Sequence, residues 1–231
     1  MVGLAAGLAA VAGLAWLYLW GMASMPGGME AGIAMTVVMW AVMMAGMMLP
    51  SASPAILLYA AMVRKNAERG VALAAGWLFV AGYLLAWVGF GVVAALLQAA
   101  LEHAGLLTPM LSAASPWLSG ALLLAAGAYQ LTPLKNLCLS KCREPVQFFI
   151  THWHPGPVGA LRMGAAHGAY CVGCCWVLML LLFTLGVMNL AWVALIATFV
   201  LAEKLLPAGR LSSRFAGVAL ILAGLTILAV P

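Results

Sequence analysis

Five side chains between residues 163 and 175 have the chemistry to hold a soft metal: Met163, His167, Cys171, Cys174 and Cys175. On a helix, at about 100° per residue, the first four fall within roughly an 80° arc, with Cys175 near its edge. Thioether, imidazole and thiol donors then share one helix face, and Arg162 marks its end. Such a set suits Cu(I) or another soft transition metal and serves Mg, Ca or Mn poorly. A buried Cys is also an ordinary small hydrophobe. An ionisable side chain inside an apolar span is nonetheless a functional candidate by default.

Methionine forms a second group. Met22, Met25 and Met29 fall in a short polar stretch between apolar segments. Met35, Met39, Met43 and Met47 follow at four-residue steps, and Met44 and Met48 double the lower end of the row. That step keeps side chains on one slowly drifting helix stripe. Neutral thioethers can carry Cu(I) without burying a charge in lipid. Packing against neighbouring helices is the alternative for the whole row.

A third pair, Cys138 and Cys142, sits one helical turn apart in a charged loop. Lys141 and Arg143 beside it would favour the thiolate. His152 and His154 flank Trp153 and suit an interfacial anchor better than chelation. Glu203-Lys204 reads as a self-neutralising pair or a coupling site, and Glu30 is the one acid among the outer methionines.

These residues need a membrane around them. Of 231 residues, 67% are hydrophobic and 6% are charged, where a soluble domain carries about a quarter charged. That excludes an ordinary water-soluble enzyme, a disordered chain and a nucleic-acid binder. Apolar segments near 3–20, 32–63, 72–98, 116–134, 160–187, 190–206 and 215–230 predict an all-α, polytopic transmembrane bundle. About seven spans are expected, six being the other count, in a single domain over 1–231. The second is too long for one straight crossing, and Pro50 and Pro54 should kink it. All ten Lys and Arg fall in segments on one side of this alternation. The positive-inside rule then predicts the amino terminus inside and the carboxyl terminus outside. Residues 3–20 lack a positive leader and a good cleavage signal, so they read as a first span rather than a signal peptide.

Phosphate loops, HExxH and nucleophile elbows are absent, and with no Asp in the chain aspartyl phosphorylation is excluded.

Three runs carry a resemblance. They are Trp40-Ala41-Val42-Met43-Met44-Ala45-Gly46-Met47-Met48-Leu49-Pro50-Ser51, then Gly127-Ala128-Tyr129-Gln130-Leu131-Thr132-Pro133-Leu134-Lys135 with Cys138 and Cys142-Arg143, and Tyr170-Cys171-Val172-Gly173-Cys174-Cys175-Trp176 behind Gly164 and Gly168. Over roughly residues 30–206 the chain resembles a bacterial family of predicted metal-binding integral membrane proteins, a domain of unknown function. The resemblance implies a membrane location and metal binding and assigns no reaction.

The expected function is the handling of a soft metal, foremost Cu(I), in a bacterial inner membrane. Met22, Met25 and Met29 would capture it. Met43, Met44, Met47 and Met48 would relay it, and His167, Cys171, Cys174 and Cys175 would hold it mid-membrane. Cys138 and Cys142 would receive or release it at the cytoplasmic face, towards a membrane metalloenzyme or metallochaperone. Two alternatives stay open: a quinone-linked thiol/disulfide oxidoreductase, and a non-catalytic subunit packed through its small residues.

Overall fold

The computed structural model describes residues 2–24, 32–65, 69–207 and 209–229. Among these residues ten helices follow in order: α1 (Val2–Ala23), α2 (Ile33–Arg64), α3 (Arg69–His103), α4 (Pro116–Gln130), α5 (Pro133–Arg143), α6 (Pro145–Thr151), α7 (Gly156–Leu180), α8 (Leu182–Leu185), α9 (Leu190–Leu205) and α10 (Gly209–Ala229). The protein is an all-α, largely apolar bundle.

Among the described residues five segments are long and apolar enough to cross a bilayer: Val2–Ala23, Ile33–Arg64, Ala74–His103, Gly156–Leu185 and Leu211–Ala229. The other two expected spans are helices as well, but α4 has 15 residues and α9 has 16. At about 1.5 Å per residue they reach about 22–24 Å, short of a hydrocarbon core about 30 Å thick.

Local chemistry sets several boundaries. Pro133 is compatible with the first turn of α5, and the Thr132 side chain accepts a hydrogen bond from the Lys135 amide at 3.3 Å. This ends α4 and starts α5 within two residues. Helix α2 runs through both Pro50 and Pro54. Pro54 cannot donate to the Pro50 carbonyl, and the Ser53 hydroxyl takes that carbonyl at 2.8 Å.

Glycines decide which helices approach closely. A Cβ at Gly164 or Gly82 would run into a backbone carbonyl, of Phe79 and Leu161 respectively. Helices α3 and α7 therefore pack backbone to backbone. On α4, Gly127 plays the same part against Gly217 of α10. Trp40, Phe79, Tyr83, Trp87, Phe148 and Phe149 fill the interior, while Leu85, Val93 and Leu222 stand outside, as lipid-facing side chains do.

Three expectations change. Met22 belongs to α1 and is buried, rather than lying in a loop; Met25, Met29 and Glu30 fall outside the described residues. Residues 133–143 form a helix seated against α7 rather than a peripheral loop. Lys135 and Lys204 are buried, so the charge-asymmetry argument rests on the other eight basic residues.

Candidate metal centre

Helix α7 carries Met163, His167, Cys171, Cys174 and Cys175, and all five are buried. Its Cys171 and Cys174 meet Cys142 of α5, and the three sulfurs lie within 4.8 Å of one another. With metal–sulfur bonds of about 2.3 Å, two thiolates on one ion sit up to about 4.6 Å apart. The cluster therefore fits a single soft metal ion with little rearrangement. All five cysteines are free thiols.

The two cysteine groups of the sequence are thus one site. Gly173 lies at the crossing, where a Cβ would come within 2.8 Å of Cys138 Sγ. Its missing side chain is the notch into which α5 fits. Cys138 fills the notch, and Cys142, one turn on, reaches the α7 thiols. Burial pushes the Cys138 thiol up. Hydrogen bonding to Cys171 and Cys174, followed by burial, pushes the Cys142 thiol well up. The expected help from Arg143 does not arrive, since its guanidinium donates to the Leu206 and Pro207 carbonyls at 2.7 and 2.9 Å.

Cys171 is the hub. Lys204 Nζ of α9 donates to its sulfur at 2.8 Å and to Ser51 Oγ of α2 at 2.9 Å. The Tyr83 hydroxyl of α3 lies 3.0 Å from the same sulfur and 3.4 Å from the Met48 carbonyl. Ser51 in turn donates to that carbonyl at 2.9 Å. Helix α2 thus meets the thiol site through Ser51 and through Tyr83 and Lys204. The thiols of Cys174 and Cys175 each lie 3.0 Å from the Cys171 carbonyl, but Cys175 is not one of the three clustered sulfurs.

His167 stands beside the site rather than in the cluster. Its ring packs against Phe148, Phe79 and Tyr83 at centroid distances of 5.2, 5.9 and 6.1 Å. Its Nδ1 is buried with no hydrogen-bond partner. Met43, Met44, Met47 and Met48 are all in the core, whereas Met35 is half exposed. Met47 also faces a crevice between α1, α2 and α9, together with Trp16, Pro50 and Thr198.

Sequence reading missed Tyr83 and Ser51 and gave Lys204 the wrong partner. The available signals were a tyrosine inside an apolar run and a serine behind Leu49-Pro50. The runs that carry the resemblance acquire contacts here. Tyr129 donates to the Gly173 carbonyl, Gln130 to Glu203, and Lys135 to Glu203 at 2.6 Å.

A family model described as "PpoB2: Copper chaperone" matches residues 37–227. The metal-binding membrane family suggested by the sequence runs is thus shown, with a copper-chaperone description in place of an unassigned function. No curated protein and no solved structure matches the chain.

Proposed function

The chain belongs to the PpoB2 copper-chaperone family, and from that premise we propose that it binds Cu(I) at Cys142, Cys171 and Cys174 and passes it on within the membrane. One observation carries the reading: three sulfurs from two helices, Cys142 standing 29 and 32 positions before Cys171 and Cys174, converge within 4.8 Å. Thiolates are strong Cu(I) donors, and a cluster shared between two helices can be opened by moving one of them. Helix α5 is that element. It is short, it is bounded by Pro133 and Pro145, and it brings one of the three thiols.

The remaining candidates take supporting places in this reading. Met43, Met44, Met47 and Met48 form a buried thioether row on α2, the helix whose Ser51 and Met48 carbonyl border the site. They would relay the ion, with Met22, Met25 and Met29 at its start. Cys175 and His167 lie within a turn of the hub and would orient the ligands or take one up during transfer. Cys138 keeps α5 in register. The acceptor would be a membrane metalloenzyme or a metallochaperone, and the setting a bacterial inner membrane with the amino terminus inside.

The test is a competition titration with a Cu(I) chelator on detergent-purified protein, with elemental analysis of the bound metal. Wild type should hold one Cu(I) tightly, and Cys171→Ser/Cys174→Ser should lose it. Equal affinity in the two proteins would refute the site.

A further inference from the structure

The end of α9 sends two adjacent charged side chains into two separate polar pockets. Glu203 accepts hydrogen bonds from Lys135 and Ser213 at 2.6 Å each and from Gln130 at 3.4 Å. Its charge is committed to Lys135 by a buried ion pair. Lys204, about 100° further round the helix, donates to Ser51 Oγ and Cys171 Sγ. Among the described residues no carboxylate lies within salt-bridge distance of it. Glu203 is 1% exposed and Lys204 is 7% exposed. Three buried charges therefore leave one positive charge, and it faces sulfur.

We propose that Lys204 is the countercharge of the loaded thiol site, a positioning and specificity-determining residue that fits the site to a monovalent soft cation held by two thiolates. This rests on the Cu(I) reading above and adds the charge rule of that site. A monovalent ion on the three sulfurs, two of them ionised and the third a neutral thiol, is an anionic unit of charge −1. Buried without compensation, such a unit is costly. The Lys204 ammonium brings it to zero with no further group. A divalent ion on the same two thiolates would leave the pocket with one excess positive charge, and reaches neutrality only with the third thiol ionised as well. The Lys135–Glu203 pair keeps this rule in force, because it is neutral by itself and leaves Lys204 as the uncompensated charge of the three.

The experiment compares Cu(I) and Zn(II) affinities, each by chelator competition, on full-length protein in detergent. The variants are Lys204→Met, Lys204→Arg and the double change Lys135→Met/Glu203→Gln. Lys204→Met should weaken Cu(I) binding by roughly a hundredfold or more, as expected when one member of a buried charge pair is removed, and should weaken Zn(II) binding less. Lys204→Arg keeps the charge and should stay within about tenfold of wild type for Cu(I). The double change removes two compensating charges and should leave Cu(I) affinity in place. If Lys204→Met is not recovered from the membrane, Lys204→Gln carries the same expectation. Wild-type Cu(I) affinity in the Met or Gln variant would overturn the proposal, as would equal losses of Cu(I) and Zn(II) affinity, or an Arg variant as weak as Met. The Cu(I) reading fails separately, if Cys171→Ser/Cys174→Ser binds as tightly as wild type.

Discussion

Gly173 and Cys138 touch where α7 and α5 cross: a Cβ on the glycine would lie 2.8 Å from the cysteine sulfur. The contact fixes how far α5 sinks towards α7, and so whether Cys142 reaches Cys171 and Cys174. A glycine amid three cysteines thus acts at the site without being a ligand.

Gly173→Ala should push α5 outward and lower Cu(I) affinity by roughly tenfold, the scale of one methyl forced into a packed contact. Adding Cys138→Ala should return most of the loss by making room for that methyl. Chelator competition on the single and double variants checks this. If the double variant is as weak as Gly173→Ala, the notch is not what seats the helix.

Cu(I) affinity should rise with pH across the neutral range and keep rising above pH 8. Hydrogen bonding and burial hold the Cys142 proton well beyond the usual thiol range, so a metal using that sulfur must displace a proton. The sign follows: raising pH removes the competitor, and the gain levels off only above the raised value. Titrations at pH 6, 7, 8 and 9 in wild type and Cys142→Ser measure the slope. The Ser variant should show a shallower one, as expected when Cys142 is one of the two ionised sulfurs, and identical slopes would show that it is not.

Breaking the Lys135–Glu203 pair from one side should destabilise the fold. Either Lys135→Met or Glu203→Gln alone leaves an uncompensated buried partner, at a cost of about 3–5 kcal/mol. The double change should recover much of that. Thermal unfolding in detergent, followed by retention of the monodisperse species, separates the three. Additive losses would show that the two charges do not compensate one another.

The methionine row gives a kinetic expectation. Changing Met43, Met44, Met47 and Met48 together to Leu keeps apolar bulk at four buried positions. Equilibrium Cu(I) affinity should be retained, because the thiols remain. Copper loading of the protein in vesicles should slow if the thioethers relay the ion, and unchanged loading would assign the row to packing. The same comparison with Met22, Met25 and Met29 changed to Leu, at limiting copper, tests capture.

Orientation is checked at the α5–α6 junction. Glu144 is exposed there; with α4 counted as a short crossing, Glu144→Cys in a background without other cysteines should react with a membrane-impermeant thiol reagent only after cells are permeabilised. Labelling of intact cells would overturn either the crossing of α4 or the proposed orientation.

The sequence alone determined what depends on composition and on nearest neighbours along the chain. Apolar runs, few charges and helical spacing specify a membrane bundle, because a backbone in hydrocarbon must satisfy its own hydrogen bonds. The same spacing put Cys171, Cys174 and His167 on one face of α7. Tertiary structure decided which distant segments meet. Spacing within a helix says nothing about its partner, so Cys138 and Cys142 read as a separate pair until Gly173 admitted α5 to the α7 surface. Glu203 and Lys204 read as one pair because they are adjacent. A helix turns about 100° per residue, and that rotation sent one to Lys135 and the other to Cys171.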